Sequence, residues 1–355
     1  MNNDSLFMRR CLQLAAKGEG HTTPNPMVGA VIVYNDTIIG EGYHKKHKEA
    51  HAEVNAIRSV KDCSLLSKST LYVSLEPCSH YGITSPCAEF IISCNIPRVV
   101  VAVQDPNPVV AGRGIRMMRE AGIDVSVGIL EQEARELNRS FFVNQEQHRP
   151  YIILKWAQSK DGFMDRARQT SEIPPEKLSN SITHCLVHRM RTITKGIMIG
   201  TNTALLDNPQ LTSRKWDGEN PTRIVFDKEL KIPHSNALFN NEADTIVLTE
   251  KTEGFPLVQE NVKYISTKFD PDANQQIMSE LYKNGIYSLL VEGGAGLLSS
   301  LIQEHLWDEA WIEIADKELG SGVKSPVIEG EMCQVKKYFD ANQIHLKNKT
   351  TQKFH

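Results

Sequence analysis

The sequence predicts an α/β fold in both halves of the chain, and three observations carry that expectation. Segments with helical apolar spacing alternate with short β-rich runs along the whole length. The pattern restarts around His148-Arg149-Pro150, which places a domain boundary there. The 355 residues are enough for two cores of ordinary size. Such alternation implies mainly parallel sheets covered on both faces, in domains spanning 1–147 and 148–355.

In the first half, residues 4–19 read as an amphipathic helix. Asp4 is its candidate cap, and Leu6, Met8, Leu12, Ala15 and Ala16 form its apolar side. Thr23-Pro24-Asn25-Pro26 breaks it. Residues 28–34 and 37–43 form a hairpin joined at Asn35-Asp36, without the glycine usual in such turns. Then follow a helix at 51–60, a strand at 71–75, a helix at 87–94, a strand at 98–103, a helix at 112–121, a strand at 124–127 and a helix at 129–145. In the second half, strands are expected at 151–157, 196–200, 222–226, 245–249, 264–265 and 286–292, with a last one at 308–314. Helices are expected at 179–191, near 273–283 and at 296–305.

Bulk properties narrow the function. A net charge of -3 gives no broad attraction to nucleic acid or anionic membrane. No apolar run approaches the ~20 residues of a membrane helix, and Met1-Asn2-Asn3-Asp4 lacks the basic-then-apolar build of a secretion signal. The cysteines outside the motif below (Cys11, Cys63, Cys94, Cys185 and Cys333) are scattered, which suits a reducing cytoplasm.

The chemistry concentrates in His51-Ala52-Glu53, Pro77-Cys78 and Pro86-Cys87. One imidazole and two thiolates fill three positions of a tetrahedral Zn²⁺ and leave the fourth for water. Glu53, two residues from the histidine, carries protons without occupying a ligand position. Base deaminases share this ligand order. Taken singly, the histidine is an ordinary helix-start residue and the cysteines are small buried hydrophobes; the order and flanking residues together make the set specific. Eight residues separate Cys78 from Cys87, where the compact signature has two, so a loop is inserted beside the metal.

The second half has no such cluster. Its sharpest feature is Val291-Glu292-Gly293-Gly294-Ala295-Gly296, a buried strand entering a glycine turn and then a helix. That arrangement can receive phosphate on backbone N–H groups, and it serves packing equally often. Lys155–Gly162 sits at the exit of the first strand and Gly200–Pro209 follows another, and strand ends are where ligands of α/β sheets sit. Arg191 and Arg214 have the fork geometry for phosphate; each could instead be a solvated surface cation.

These segments resemble the bifunctional deaminase/reductase family of riboflavin biosynthesis. Thr23–Gly29, Gly42-Tyr43-His44, His51-Ala52-Glu53, Glu76–Gly82, Pro86-Cys87 and Gln104–Pro108 are similar to its deaminase motifs. Lys155–Gly162, Gly200–Pro209 and Glu292–Gly296 are similar to its reductase motifs. The resemblance implies a cytidine-deaminase-like three-layer N-terminal domain and a dihydrofolate-reductase-like α/β C-terminal domain. It further implies deamination of a diaminopyrimidinone ribosylamino phosphate, then NADPH-dependent reduction of the ribosyl chain. Carried over by residue, His51, Cys78 and Cys87 hold zinc, and Glu53 moves protons. Asn25, His44 and His80 contact the deaminase substrate, and Lys155, Arg191, Leu211, Arg214 and Glu292 the reductase substrate. Ala157, Thr203, Asp207, Gly294, Ala295 and Gly296 contact NADPH. A small-molecule substrate, a cytoplasmic location and a homo-oligomeric assembly are expected.

The chain departs from the family in places. Ile83 stands where the family carries a cation beside the substrate phosphate, a role left to His80, Lys45 or Lys46. Lys177 replaces a tryptophan near the cofactor, and Ala315-Asp316 replaces Ala-Pro. A weakened paralogue that binds nucleotide-like ligands as a regulator is the second expectation. A nucleic-acid deaminase is the third, disfavoured by the acidic balance and the appended second domain.

Overall fold

The computed structural model describes residues 3–81, 85–107, 110–256, 259–270 and 273–349. The chain divides into two compact units, Met1–His148 and Arg149–His355. Among the described residues no helix is long and apolar enough to cross a membrane.

The first unit runs α1 (Asn3–Ala15), β1 (Gly29–Tyr34), β2 (Thr37–Tyr43), α2 (Ala52–Arg58), β3 (Thr70–Val73), α3 (Cys87–Ser93), β4 (Arg98–Val101), α4 (Arg113–Glu120), β5 (Asp124–Val127), α5 (Glu131–Leu137) and α6 (Arg139–Gln147). Its sheet has the order β2-β1-β3-β4-β5. β1 is antiparallel to β2 and to β3, whereas β3, β4 and β5 are parallel. The sheet is therefore mixed rather than mainly parallel, because a two-residue turn can join only antiparallel strands and parallel ones need a crossover. Asn35 and Asp36 make that turn at φ 46° and 55°, residue types that tolerate the left-handed region and stand in for the missing glycine.

Period-two alternation in β1 produces the layers. Ala30 and Ile32 pack with Ala56, Ile91 and Met118 of α2, α3 and α4; Val31 and Val33 pack with Met8, Ala134 and Phe142 of α1, α5 and α6. The helix expected at 129–145 is two helices meeting at Asn138. That side chain accepts from the Met27 N–H and donates to the Met27 carbonyl, both at 2.8 Å. The Asp4 carboxylate accepts from Tyr72 Oη at 2.7 Å and from the Arg98 guanidinium at 3.0 Å, joining α1 to β3 and β4.

The second unit runs β6 (Tyr151–Ser159), β7 (Phe163–Asp165), α7 (Ser181–Ile193), β8 (Gly196–Ile199), α8 (Thr201–Asp207), β9 (Thr222–Phe226), β10 (Thr245–Thr249), β11 (Val262–Ser266), α9 (Ala273–Lys283), β12 (Ser288–Val291), α10 (Ala295–Gln303), β13 (Glu309–Ala315), β14 (Val323–Lys324), β15 (Glu331–Tyr338) and β16 (Ala341–Lys347). The nine-stranded sheet has the order β11-β10-β9-β8-β12-β6-β13-β16-β15. It is parallel from β11 to β13 and antiparallel beyond. The strand expected to be last is thus followed by β14, β15 and β16. β15 is exposed along nearly its whole length, so no apolar alternation marks it.

Candidate active sites

In the first unit, chain ends at one edge of the sheet bring the metal-type side chains together. His51 is the N-cap residue of α2, Cys78 follows the exit of β3, and Cys87 opens α3. His51 Nδ1 lies 3.6 Å from Cys78 Sγ and 3.3 Å from Cys87 Sγ, and the ligand atoms of all three lie within 4.8 Å of one another. Tetrahedral zinc with ordinary Zn–N and Zn–S bonds puts nitrogen and sulfur about 3.5 Å apart, so this donor set fits the ion. The set also carries charge in advance. The hydrogen bond from the Cys87 thiol, opposed by burial and assisted by His51 and the Cys87 N–H, brings Cys78 down to about 4. The same contact, with burial, pushes the Cys87 thiol up. The bond to Cys78 raises His51.

Glu53, in the first turn of α2, is 3% exposed. Burial, and then the Cys78 charge, push its carboxyl up to about 7, where a proton carrier is most effective at neutral pH. His51, Cys78 and Glu53 line a cavity of about 370 Å³ together with Asn25, His44, His80 and Asp105, while Cys87 is buried and not part of its lining. His44 Nδ1 is 3.2 Å from the Ala50 carbonyl and must donate to it. Its Nε2 therefore accepts from Asn25 Nδ2, also at 3.2 Å. Burial lowers the His44 pKa, consistent with that neutral tautomer.

Glu76 fixes the far wall. Its carboxylate accepts the backbone N–H groups of Asp105, Gly112, Gly114 and Ile115 at 2.9–3.3 Å, which anchors the Gln104–Asn107 segment and the start of α4. Burial pushes the Asp105 carboxyl up to about 6, against the bond from the Asn107 N–H. Lys45 and Lys46 are exposed and do not line the cavity; Lys48, with His47 and Glu49, does. Sequence reasoning missed Lys48 and gave no role to Glu76 and Asp105, although both stand in the Glu76–Gly82 and Gln104–Pro108 motifs, because what they hold depends on loop closure. Ile83 lies outside the described residues.

In the second unit, the ends of β6, β8 and β12 converge with α7. Arg191 gives a two-pronged bond to Glu292 at 2.8 and 2.7 Å and a third to the Thr212 carbonyl at 2.9 Å. Burial pushes the Glu292 carboxyl up, but the Arg191 charge and hydrogen bonds outweigh it and hold the group below the usual carboxylate range. The Arg191 fork is therefore taken, while Arg214 is exposed, with Nη1 3.5 Å from Thr212 Oγ1. Leu211 is buried beside them at φ 54°. Lys155 Nζ sits 3.8 Å from Glu313 Oε2.

A second cavity, about 540 Å³, gathers Gly200, Thr203, Gly294 and Gly296 with Phe226, Lys228 and Phe269. Ala295 opens the helix at its rim. Gly293 and Gly294 have φ 118° and 82°, and a side chain at Gly294 would lie 3.5 Å from Thr203 Oγ1. The turn needs glycine for its backbone conformation, while the approach to Thr203 is an ordinary contact. Ala157 and Asp207 are not among the lining residues; Asp207 is ion-paired to Arg168. Lys177 is exposed, beside a Glu176 that pairs with Arg166 and Lys317.

Known proteins share this pairing of domains. Residues 1–103 match the cytidine and deoxycytidylate deaminase zinc-binding region, and residues 150–355 match the RibD C-terminal domain. The riboflavin biosynthesis protein RibD of Aquifex aeolicus is 41% identical over 90% of this chain and 89% of its own length. The Bacillus amyloliquefaciens protein of the same name is 38% identical over 93% and 89%. The crystal structure of a diaminohydroxyphosphoribosylaminopyrimidine deaminase/5-amino-6-(5-phosphoribosylamino)uracil reductase from Thermotoga maritima aligns with a TM-score of 0.87 at 32% identity, covering 98% of this chain and 99% of that one.

Proposed function

The chain belongs to the bifunctional deaminase/reductase family of riboflavin biosynthesis, and from that premise we propose how its own residues divide the work. It is a two-step enzyme, a zinc-dependent deaminase and an NADPH-dependent reductase. The substrate we assign is the 2,5-diamino-6-(5-phosphoribosylamino)pyrimidin-4-one that the relatives' names describe.

His51, Cys78 and Cys87 would hold the zinc. When bound, the ion supplies a Lewis acid that lowers the pKa of water toward neutrality. Glu53 takes a proton at its buried carboxylate and returns it to the departing amine. Asn25 and neutral His44 orient the ring, and His80 and Lys48 face the phosphate from the exposed rim. In the reductase, Arg214 takes the phosphate, while Arg191, locked to Glu292 and the Thr212 carbonyl, shapes the wall beside Leu211. Lys155 presents its ammonium from the middle of β6. NADPH supplies the hydride; Thr203, Gly294, Ala295 and Gly296 cradle it, with Ala157 and Asp207 outside the cavity wall. We take the enzyme to work in the cytoplasm as a homo-oligomer.

The observation that carries the reading is the buried Glu53 carboxyl lining the same cavity as His51 and Cys78, two members of a His/Cys/Cys set that Cys87 completes. A regulator that only bound nucleotides would need neither. Purified Glu53→Gln, incubated with the diaminopyrimidine phosphate, is expected to lose ammonia release by about 10²–10⁴-fold. Its zinc content, read by elemental analysis, stays at one ion per chain. Wild-type ammonia release in that variant removes Glu53 from the mechanism.

A further inference from the structure

Glu313 is a fully buried carboxylate in the reductase unit that the reading above does not use. In the parallel β6–β13 register it lies opposite Ala157. Lys155 and Ala157 are two residues apart on β6, so all three share one face of the sheet. Oε1 of Glu313 accepts the Thr183 hydroxyl at 2.5 Å, and Oε2 accepts the Ser179 hydroxyl at 2.7 Å. Thr183 lies in the first turn of α7 and Ser179 just ahead of that helix. Oε2 also lies 3.8 Å from Lys155 Nζ, with the lysine side chain 10% exposed and the glutamate side chain 0%.

The other charges around Lys155 do not take this role. Glu292 acts on it through space from the end of β12, but its oxygens are bound by Arg191. His184 on α7 is repelled by Lys155, Lys215, Arg191 and Arg214. Glu313 is left as the counter-ion of Lys155. A buried charge with fixed hydrogen bonds is a rigid reference point for the side chain paired with it.

We propose that Glu313 is a positioning residue of the reductase, holding the Lys155 ammonium aimed at the substrate through a carboxylate clamped by Ser179 and Thr183. This rests on the assignment of Lys155 to the reductase site. The test is the steady-state kinetics of NADPH oxidation by the full-length enzyme with 5-amino-6-(5-phosphoribosylamino)uracil as substrate. In Glu313→Gln kcat is expected to fall by about 10–100-fold, the effect of a misplaced reacting-site group. The KM for NADPH stays within about twofold, the split expected when ground-state binding is untouched. Glu313→Asp restores the charge and returns kcat at least part of the way. Wild-type kcat in Glu313→Gln overturns the proposal. Should that variant not fold, Ser179→Ala carries the test with a smaller fall in kcat, and wild-type kcat there overturns it equally. Lys155→Met separates the two readings: wild-type reduction in that variant removes Lys155, whereas its loss alongside an unaffected Glu313→Gln removes Glu313 alone.

Discussion

His188 shows how one residue on α7 sets the acid response of the reductase unit. It is fully buried, its Nε2 is 3.3 Å from His184 Nε2, and its Nδ1 has no hydrogen-bond partner among the described residues. Burial, then Arg191, His184 and Arg214, push it down to about 4. An unfolded histidine titrates near 6.5. Between about pH 6.5 and 4 the unfolded chain therefore binds a proton that the native one refuses. Stability falls on acidification through that window and is constant for this group below it. His188→Gln cannot take up the proton, so its reductase thermal transition should drop by fewer degrees between pH 7 and pH 5 than that of the wild type. Equal drops in the two proteins would remove His188 as the source. At this scale the sequence was most informative where chemistry dictates residue type. The His51, Cys78 and Cys87 cluster and the buried Glu53 near it were legible because few residue types suit such chemistry. Glu76 stood in a motif without a role, and Lys48 and Glu313 left no signal, because acidic and basic side chains are ordinary until the fold shows what surrounds them.

Elements position the metal by backbone contact as much as by side chains. A side chain at Gly114 of α4 would lie 2.0 Å from the Pro77 carbonyl, and one at Gly42 of β2 would lie 2.3 Å from the Ala56 nitrogen of α2. The first contact sets the height of the segment bearing Cys78, and the second sets the seat of the helix bearing Glu53. Gly114→Ala must push the Pro77-Cys78 segment away, at a cost of roughly 1–3 kcal/mol by overpacking. Zinc should then be held more weakly, measured as faster loss to a chelator, with NADPH oxidation on the deaminated intermediate unchanged. Wild-type zinc retention would show that the segment yields without moving Cys78. The core elements were legible from apolar period, and β9 and β10 have the predicted bounds because they are short buried runs closed by polar residues; β5 matches its predicted bounds as well, with Val125 buried between exposed ends. Three features were not. α8 lies in a threonine- and asparagine-containing stretch that reads as a loop. The 129–145 helix is cut where Asn138 turns to Met27. The β15–β16 hairpin has one strand exposed on both faces, so burial leaves no trace in its sequence.

At the scale of the whole molecule, two chemistries follow one another on a single chain, and each unit has its own core and cavities. The order is enforced by substrate rather than by fold, since the reductase takes the deaminated ring. Glu53→Gln should therefore leave NADPH oxidation at the wild-type rate when 5-amino-6-(5-phosphoribosylamino)uracil is supplied. The same variant should abolish it when the diaminopyrimidine is supplied. Zinc removal adds the thermodynamic counterpart. A ligand that binds only the native deaminase unit stabilises that unit by mass action, and its withdrawal takes the stabilisation away. Calorimetry of the chelated protein should show the deaminase transition moved to lower temperature and the reductase transition in place, a chain for which no single unfolding free energy is defined. A common shift of both transitions would mean that the units unfold as one body, and the separate-domain reading of the two activities would then fail.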